Sequence, residues 1–183
     1  CKLKIFVKVV KTGSRCYHKL YLQIPTHCLL LFAIKSVDLL DSFKIYTQED
    51  FLYMENLRCE KAVEKKHNGY NCAQAVACSF CKEASMDEDT LKKITQGFGA
   101  GLGTMAGTCG AISGAAVVAG LINQDKAGTS QTVRSVMNQF KQQNGTVICK
   151  DLKGVETGKV IRSCDDCVRD AVKFLEDALK SEN

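Results

Sequence analysis

The stretch from Gly97 to Leu121, GFGAGLGTMAGTCGAISGAAVVAGL, decides how this chain folds. It opens as a glycine-rich loop and runs into a segment, Cys109 to Ile122, that holds no charged residue over its fourteen positions. A helix that is apolar on every side is the buried central helix of a domain. Gly110 and Gly114 are one turn apart and Gly120 follows, so the segment predicts a helix whose small residues let its neighbours approach closely. Each glycine costs about 1 kcal/mol of helix propensity relative to Ala. Fourteen apolar residues are too few to span a bilayer. The alternating glycines Gly97, Gly99, Gly101 and Gly103 do not read as a dinucleotide fingerprint. That motif follows a strand, whereas the preceding DEDTLKKITQ reads as a helix, and the GxGxxG spacing is not met. Helix capping and backbone packing are the expected use of these glycines.

Around this centre the remaining helices follow from periodicity and caps. From Met54 onward there is no proline, and 13 of the 14 glycines lie here, mostly at segment ends. Such punctuation predicts a compact bundle. The expected helices are Glu55–Lys66, closed by the Asn68-Gly69 turn, and Cys72–Lys82, capped by Asn71. A third is Asp87–Gln96, whose acids precede its lysines as the helix dipole favours. The central helix starts at about Thr108. Ser130–Gln143 carries the stripe Val133, Val136, Met137 and Phe140, and Cys164–Lys180 carries Val168, Val172, Leu175 and Leu179. Cys72, Val76 and Phe80 share one face, as do Leu91, Ile94 and Phe98. Residues 146–162 read as a connector carrying Cys149. The fold expected is all-α: about six helices around a buried Gly/Ala-rich helix, with a poorly defined N-terminal extension.

That extension, residues 1–53, is unlike the rest. It holds the sole proline, Pro25, and an apolar run of seven from Cys28 to Ile34, too short for a membrane span. A short strand near Leu3–Val10 and a helix near Phe32–Phe43 are the elements it could form. The first Met is Met54. The expected division is therefore an extension over 1–53, read as upstream or accessory sequence, and a helical domain over 54–183. Of the net charge of +5, the extension supplies most, with 8 Lys/Arg against 4 Asp/Glu, leaving 17 against 16 beyond it. The domain has no basic patch of the kind that binds nucleic acid. No direct membrane insertion is expected.

Eleven cysteines are the main chemical signal. An odd number without a secretory signal fits a disulfide framework poorly. A reducing cytoplasm, with cysteines as metal ligands, redox thiols or core filler, fits better. Cys72 follows Asn71, Cys109 follows Thr108 and Cys164 follows Ser163, so each stands at a helix start behind a capping residue. Unpaired N–H groups and the positive dipole end there favour a thiolate. Cys149 is the natural fourth member. Both CxxC pairs, Cys78/Cys81 and Cys164/Cys167, place two sulfurs on one side of a helix, and Cys167 is the better candidate for an auxiliary thiol. Cys59, Cys1, Cys16 and Cys28 read as incidental. His67, the only histidine of the domain, could assist a thiol or ligate a metal, and reads more simply as a surface turn residue. Thr108 and Ser113 read as local hydrogen bonders.

The order GYNCAQAV, GFGAGLG, CGAISG, CKDL and CDDCV resembles the redox-active family named for its C_GCAxxG_C_C pattern, over about Arg58 to Leu179. The CGAxxG element is Cys109 to Gly114. The resemblance implies a small helical fold and assigns the family's cysteines to Cys72, Cys109, Cys149 and Cys164. A related domain occurs in a cytochrome that also carries an iron–sulfur centre. Three readings follow. In the first, the four cysteines bind zinc or an iron–sulfur cluster. In the second, Cys109 or Cys72 is the attacking thiolate of a thiol redox protein and a neighbour resolves it. In the third, the chain is a helical interaction module whose cysteines are packing. An oxidoreductase-type thiol or iron–sulfur protein leads, with an unidentified redox partner, and the small-residue stripe could also serve a homodimer.

Overall fold

The computed structural model describes the backbone of residues 3–8, 19–24, 45–46 and 48–181, and the side chains of residues 57–180. The chain divides into two compact units, Cys1–Met54 and Glu55–Asn183. In the first, β1 (Leu3–Lys8) lies between β2 (Lys19–Ile24) and β3 (Ile45–Tyr46) and pairs antiparallel with both. The strand expected near Leu3 is β1. The helix expected at Phe32–Phe43 falls outside the described residues.

The second unit is a helical bundle. Its elements are α1 (Gln48–His67, which begins before the unit boundary), α2 (Cys72–Ala77), α3 (Glu88–Ile94), α4 (Gly110–Asn123), α5 (Lys126–Asn144), α6 (Cys149–Lys153) and α7 (Cys164–Ser181). The uncharged segment is the central helix α4, packed against α2, α5 and α7. Ala111, Ile112, Ala115, Val118 and Ala119 are buried there. The amphipathic helices supply the rest of the core. From α5 come Val136 and Phe140, and from α7 come Val168, Val172 and Leu175. Phe140 meets Phe174 edge to face, with centroids 6.4 Å apart.

Two of the three glycines of α4 explain its close packing. A Cβ on Gly114 would stand 2.3 Å from the Ala73 carbonyl oxygen, and one on Gly110 would stand 2.5 Å from the Phe98 carbonyl and 2.6 Å from the Cys72 sulfur. Helix α2 therefore lies directly on the backbone of α4. Gly120 differs: its nearest neighbour would be a Thr129 methyl at 3.9 Å. It points away from the α2 contact, because six residues are not a whole number of helical turns.

Several boundaries differ from the sequence reading. Helix α2 ends at Ala77, where Ser79 and Phe80 switch to hydrogen bonds three residues back, on Val76 and Ala77. Helix α5 starts at Lys126, not Ser130, because the Asp125 carboxylate accepts the Gly128 N–H at 2.8 Å and caps it. Ile94 is 45 % exposed, so the inner face of α3 rests on Leu91. The connector contains α6, which begins at Cys149. Its far end is fixed by Arg162, whose guanidinium donates two hydrogen bonds, 2.9 and 2.8 Å, to Asp170 on α7. Among the described residues no helix is long and apolar enough to cross a membrane.

Candidate thiol centre

Three local structures bring the cysteines of interest together. Asn71 forms a reciprocal capping box with Gln74, its side chain accepting the Gln74 N–H at 2.9 Å while Gln74 accepts the Asn71 N–H at 2.9 Å. This fixes the start of α2 at Cys72. Next, a short antiparallel contact joins the loop before α4 to the loop before α6. Cys109 N–H donates to Val147 O at 2.8 Å, Cys149 N–H to Gly107 O at 3.0 Å, and Lys150 N–H to Met105 O at 2.7 Å. Cys109, the residue capping α4, and Cys149, the first of α6, are thereby set on neighbouring strands of chain. Last, the Ser163 hydroxyl accepts the Asp166 N–H at 3.0 Å, which starts α7 at Cys164. Each of the four cysteines thus begins or caps a helix, including Cys149, whose helix is too short to show a period in the sequence.

The glycine-rich loop closes over them in an unusual conformation. Ala100 (φ 48°, ψ 44°), Gly101 (φ 57°, ψ 54°), Leu102 (φ 60°) and Gly103 (φ 75°) are consecutive left-handed residues, and Met105 (φ 59°) follows. They make one turn of left-handed helix, closed by Gly103 N–H to Gly99 O at 2.9 Å. A left-handed conformation costs a non-glycine residue about 1–2 kcal/mol. The glycines serve close approach here. A Cβ on Gly99 would strike the Asn71 side chain at 2.8 Å, and one on Gly101 would strike Cys149 Cβ at 2.8 Å. The Ala100 N–H is directed at the Cys72 sulfur.

Electrostatics distinguish the thiols. Cys72, Cys109, Cys149 and Cys164 lie within electrostatic reach of one another, and Cys167, fully buried, joins them through Cys109 and Cys164. Burial raises the Cys72 thiol, and raises Cys149 to about 11. Cys109 is raised further, first because it donates its S–H to Cys167 and then because it is buried. Cys167 alone is lowered: it accepts that hydrogen bond and faces the Lys153 ammonium. The sequence reading placed the favoured thiolates at the helix starts. In the structure burial raises Cys72, the contact with Cys167 and burial raise Cys109, and the thiol that is lowered is Cys167, one turn inside α7. Its CxxC spacing was the only signal for it.

The other candidates sit apart. Cys78 and Cys81 pack with Ala84 and Leu91 in a separate small cluster, and Cys59 donates to Arg169 O at 3.6 Å from the main core. Cys1, Cys16 and Cys28 lie outside the described residues. His67 does not contact a sulfur. Its Nε2 is 2.9 Å from Asp165 Oδ2, and Lys66 Nζ is 2.9 Å from Asp165 Oδ1, so both side chains hold the residue next to Cys164. The eight described cysteines are free thiols.

Four cysteines are the donors that zinc or an iron–sulfur cluster requires, so the chemistry of the set fits a metal. Its arrangement does not: among the described residues, no three His, Cys, Asp or Glu side chains are disposed to hold one metal ion. Of the five sulfurs, Cys109, Cys149 and Cys167 are buried, and Cys72 and Cys164 are half-buried.

A family model described as "Putative redox-active protein (C_GCAxxG_C_C)" matches residues 70–178. Searches of curated proteins and of solved structures return no match. The matched segment spans more than half of the chain and runs from the capping turn of α2 to the inner face of α7, through all five cysteines of the centre; the chain belongs to this redox-active family.

Proposed function

We propose that the chain is a thiol–disulfide redox protein whose working sulfurs are Cys72, Cys109, Cys149 and Cys164 together with Cys167. One observation carries the reading: the buried Cys167 sulfur has the Lys153 ammonium at 3.8 Å, and with the neighbouring Cys109 this lowers its thiol below the ordinary value. The co-reactant is a disulfide on another molecule. Cys164, half-buried at the first turn of α7, is the thiol such a disulfide can reach. As a thiolate it attacks one substrate sulfur, forming a mixed disulfide and releasing the other sulfur as a thiolate that takes up a proton. The Cys167 thiolate then attacks the Cys164 sulfur and releases the second substrate thiolate, which is protonated in turn. Exchange with Cys109 moves the disulfide to Cys109–Cys167 and returns Cys164 to the thiol form. Two electrons and one proton pass from the protein to the substrate disulfide, and solvent supplies the second proton, because Cys167 starts as a thiolate. Ala100 N–H holds Cys72 beside this path, and Cys149 flanks it from α6.

The test is a thiol count on the full chain, purified without oxygen, before and after equilibration with glutathione disulfide, followed by mass-spectrometric mapping. The expected result is reversible loss of two free thiols, mapped to Cys109–Cys167 or Cys164–Cys167, and abolished in Cys167→Ser. Oxidation confined to Cys59, Cys78 or Cys81 would overturn the assignment. So would stoichiometric iron with sulfide, or stoichiometric zinc, on the same preparation.

A further inference from the structure

We propose that Lys153 is a positioning residue of the thiol centre, the fixed internal counter-ion that keeps Cys167 as a thiolate in the reduced protein; the inference deepens the redox reading above and rests on it. Lys153 is the last residue of α6, the helix that Cys149 begins. Its ammonium is half-buried, donates to the Arg162 carbonyl at 2.9 Å, and stands 3.8 Å from the Cys167 sulfur. It is also within electrostatic reach of Cys164. Among the described residues no carboxylate lies within ion-pair distance of it, whereas its partly buried neighbours in the unit, Arg58 and Lys65, each face a glutamate. An ammonium withdrawn from water needs an anion. The groups that face Lys153 are the Arg162 carbonyl and the thiols, and an ionised Cys167 supplies the anion nearest to it.

The chain is built to hold that ammonium in place. Gly154, at φ +64°, turns the backbone directly after Lys153, and a Cβ there would stand 2.1 Å from the Lys159 carbonyl. The connector therefore folds back onto α6, with Ile161 and Arg162 N–H groups both donating to Leu152 O. The Arg162 carbonyl that anchors Lys153 belongs to the residue clamped by Asp170. From α4, α6, the connector and α7, the groups facing Cys167 are Cys109, Lys153, Arg162, Cys164 and Asp170. Lys153 is the cation among them without a carboxylate partner.

The experiment is a pH titration of thiolate absorbance near 240 nm on the reduced full chain, with Cys167→Ser subtracted to isolate Cys167. It is run on wild type, Lys153→Met and Lys153→Arg, with circular dichroism as the folding control. An opposite charge at this range moves a titration by about 1–3 pH units. Lys153→Met should raise the Cys167 midpoint by at least about one unit. Lys153→Arg should restore most of the shift. Lys153→Gln, which keeps a donor for the Arg162 carbonyl, replaces Lys153→Met if the latter does not fold, with the same expectation. An unmoved midpoint in a folded Met or Gln variant overturns the proposal. Glutathione equilibration separates the two claims. A Lys153-dependent thiolate in a chain that never oxidises supports the counter-ion and sinks the redox reading. Reversible oxidation with a Lys153-independent midpoint does the reverse.

Discussion

Replacing Gly114 and Gly120 of α4 by alanine, one at a time, should move stability in opposite directions. Both are interior positions of one apolar helix, and intrinsic propensity favours alanine at each by about 1 kcal/mol. Packing separates them. At Gly114 the new methyl would stand 2.3 Å from the Ala73 carbonyl oxygen and 3.0 Å from Ala73 Cα. These are backbone atoms of α2, which cannot rotate aside, so the helices must part by about 1 Å to reach ordinary contact. Overpacking of a tight core costs about 1–3 kcal/mol, and a clash with backbone belongs at the upper end. The net expectation is a loss of about 2 kcal/mol, a fall in Tm of about 4–8 °C for a chain of this size. At Gly120 the methyl would meet Thr129 at 3.9 Å, an ordinary contact. Here the propensity gain survives, and Tm should rise by about 2–4 °C. Thermal and urea unfolding of the full chain, followed by helix circular dichroism under reducing conditions, reads both values. A Gly114→Ala chain as stable as wild type, or two variants shifting together, would refute the account of how α2 and α4 approach.

Gly110→Ala places a methyl 2.6 Å from the Cys72 sulfur; it should drive that thiol outward and speed its alkylation by N-ethylmaleimide relative to Cys164, and unchanged labelling would count against the geometry. Ala100→Gly should stabilise the chain by about 1 kcal/mol by relieving a left-handed residue, with thiol oxidation intact; urea unfolding checks it, and a loss of stability would contradict the left-handed turn. Glu176 is buried beside Arg58 and its Oε2 has no hydrogen-bond partner. Burial raises its carboxyl from 4.5 to about 7. A raised folded-state value stabilises below the unfolded value and is lost as pH climbs through 7. Relative to Glu176→Gln, wild type should therefore lose about 3 kcal/mol at most between pH 5 and 8. Parallel urea midpoints for the two chains over that range would remove the carboxyl as the cause.

The helical framework was legible because its signals are local. The charge-free run from Cys109, the stripe of Val168, Val172 and Leu175, and the Asn71 cap each need only neighbouring residues. What escaped the sequence depends on length or on tertiary contact. Helix α6 has five residues, fewer than a period needs to show. Gly128 in the first turn of α5 disguised Asp125 as part of a polar turn, though it is the cap. The left-handed conformations of Ala100 and Leu102 contradict local preference and persist because Asn71, Cys149 and Gly107 surround the turn. The centre shows the same division. The helix-start positions of Cys72, Cys109 and Cys164 could be read from cap residues one at a time, whereas what brings them near one another is tertiary contact. The lowering of the Cys167 thiol follows from Cys109 and Lys153, which reach it from other elements and outweigh its burial.

The number of sulfurs in the centre has a consequence of its own. Disulfides consume thiols in pairs, and Cys72, Cys109, Cys149, Cys164 and Cys167 make an odd set. Even when two disulfides have formed among them, one thiol is left over by parity. On the thiol–disulfide reading proposed above, that remaining thiol would attack a neighbouring disulfide and pass the vacancy to another position, as in a sliding-tile puzzle with one empty square. Internal bridges in such a set need not lock. Oxidation at a buried pair can be carried to the rim, and reduction at the rim can be carried inward, without any sulfur leaving the protein.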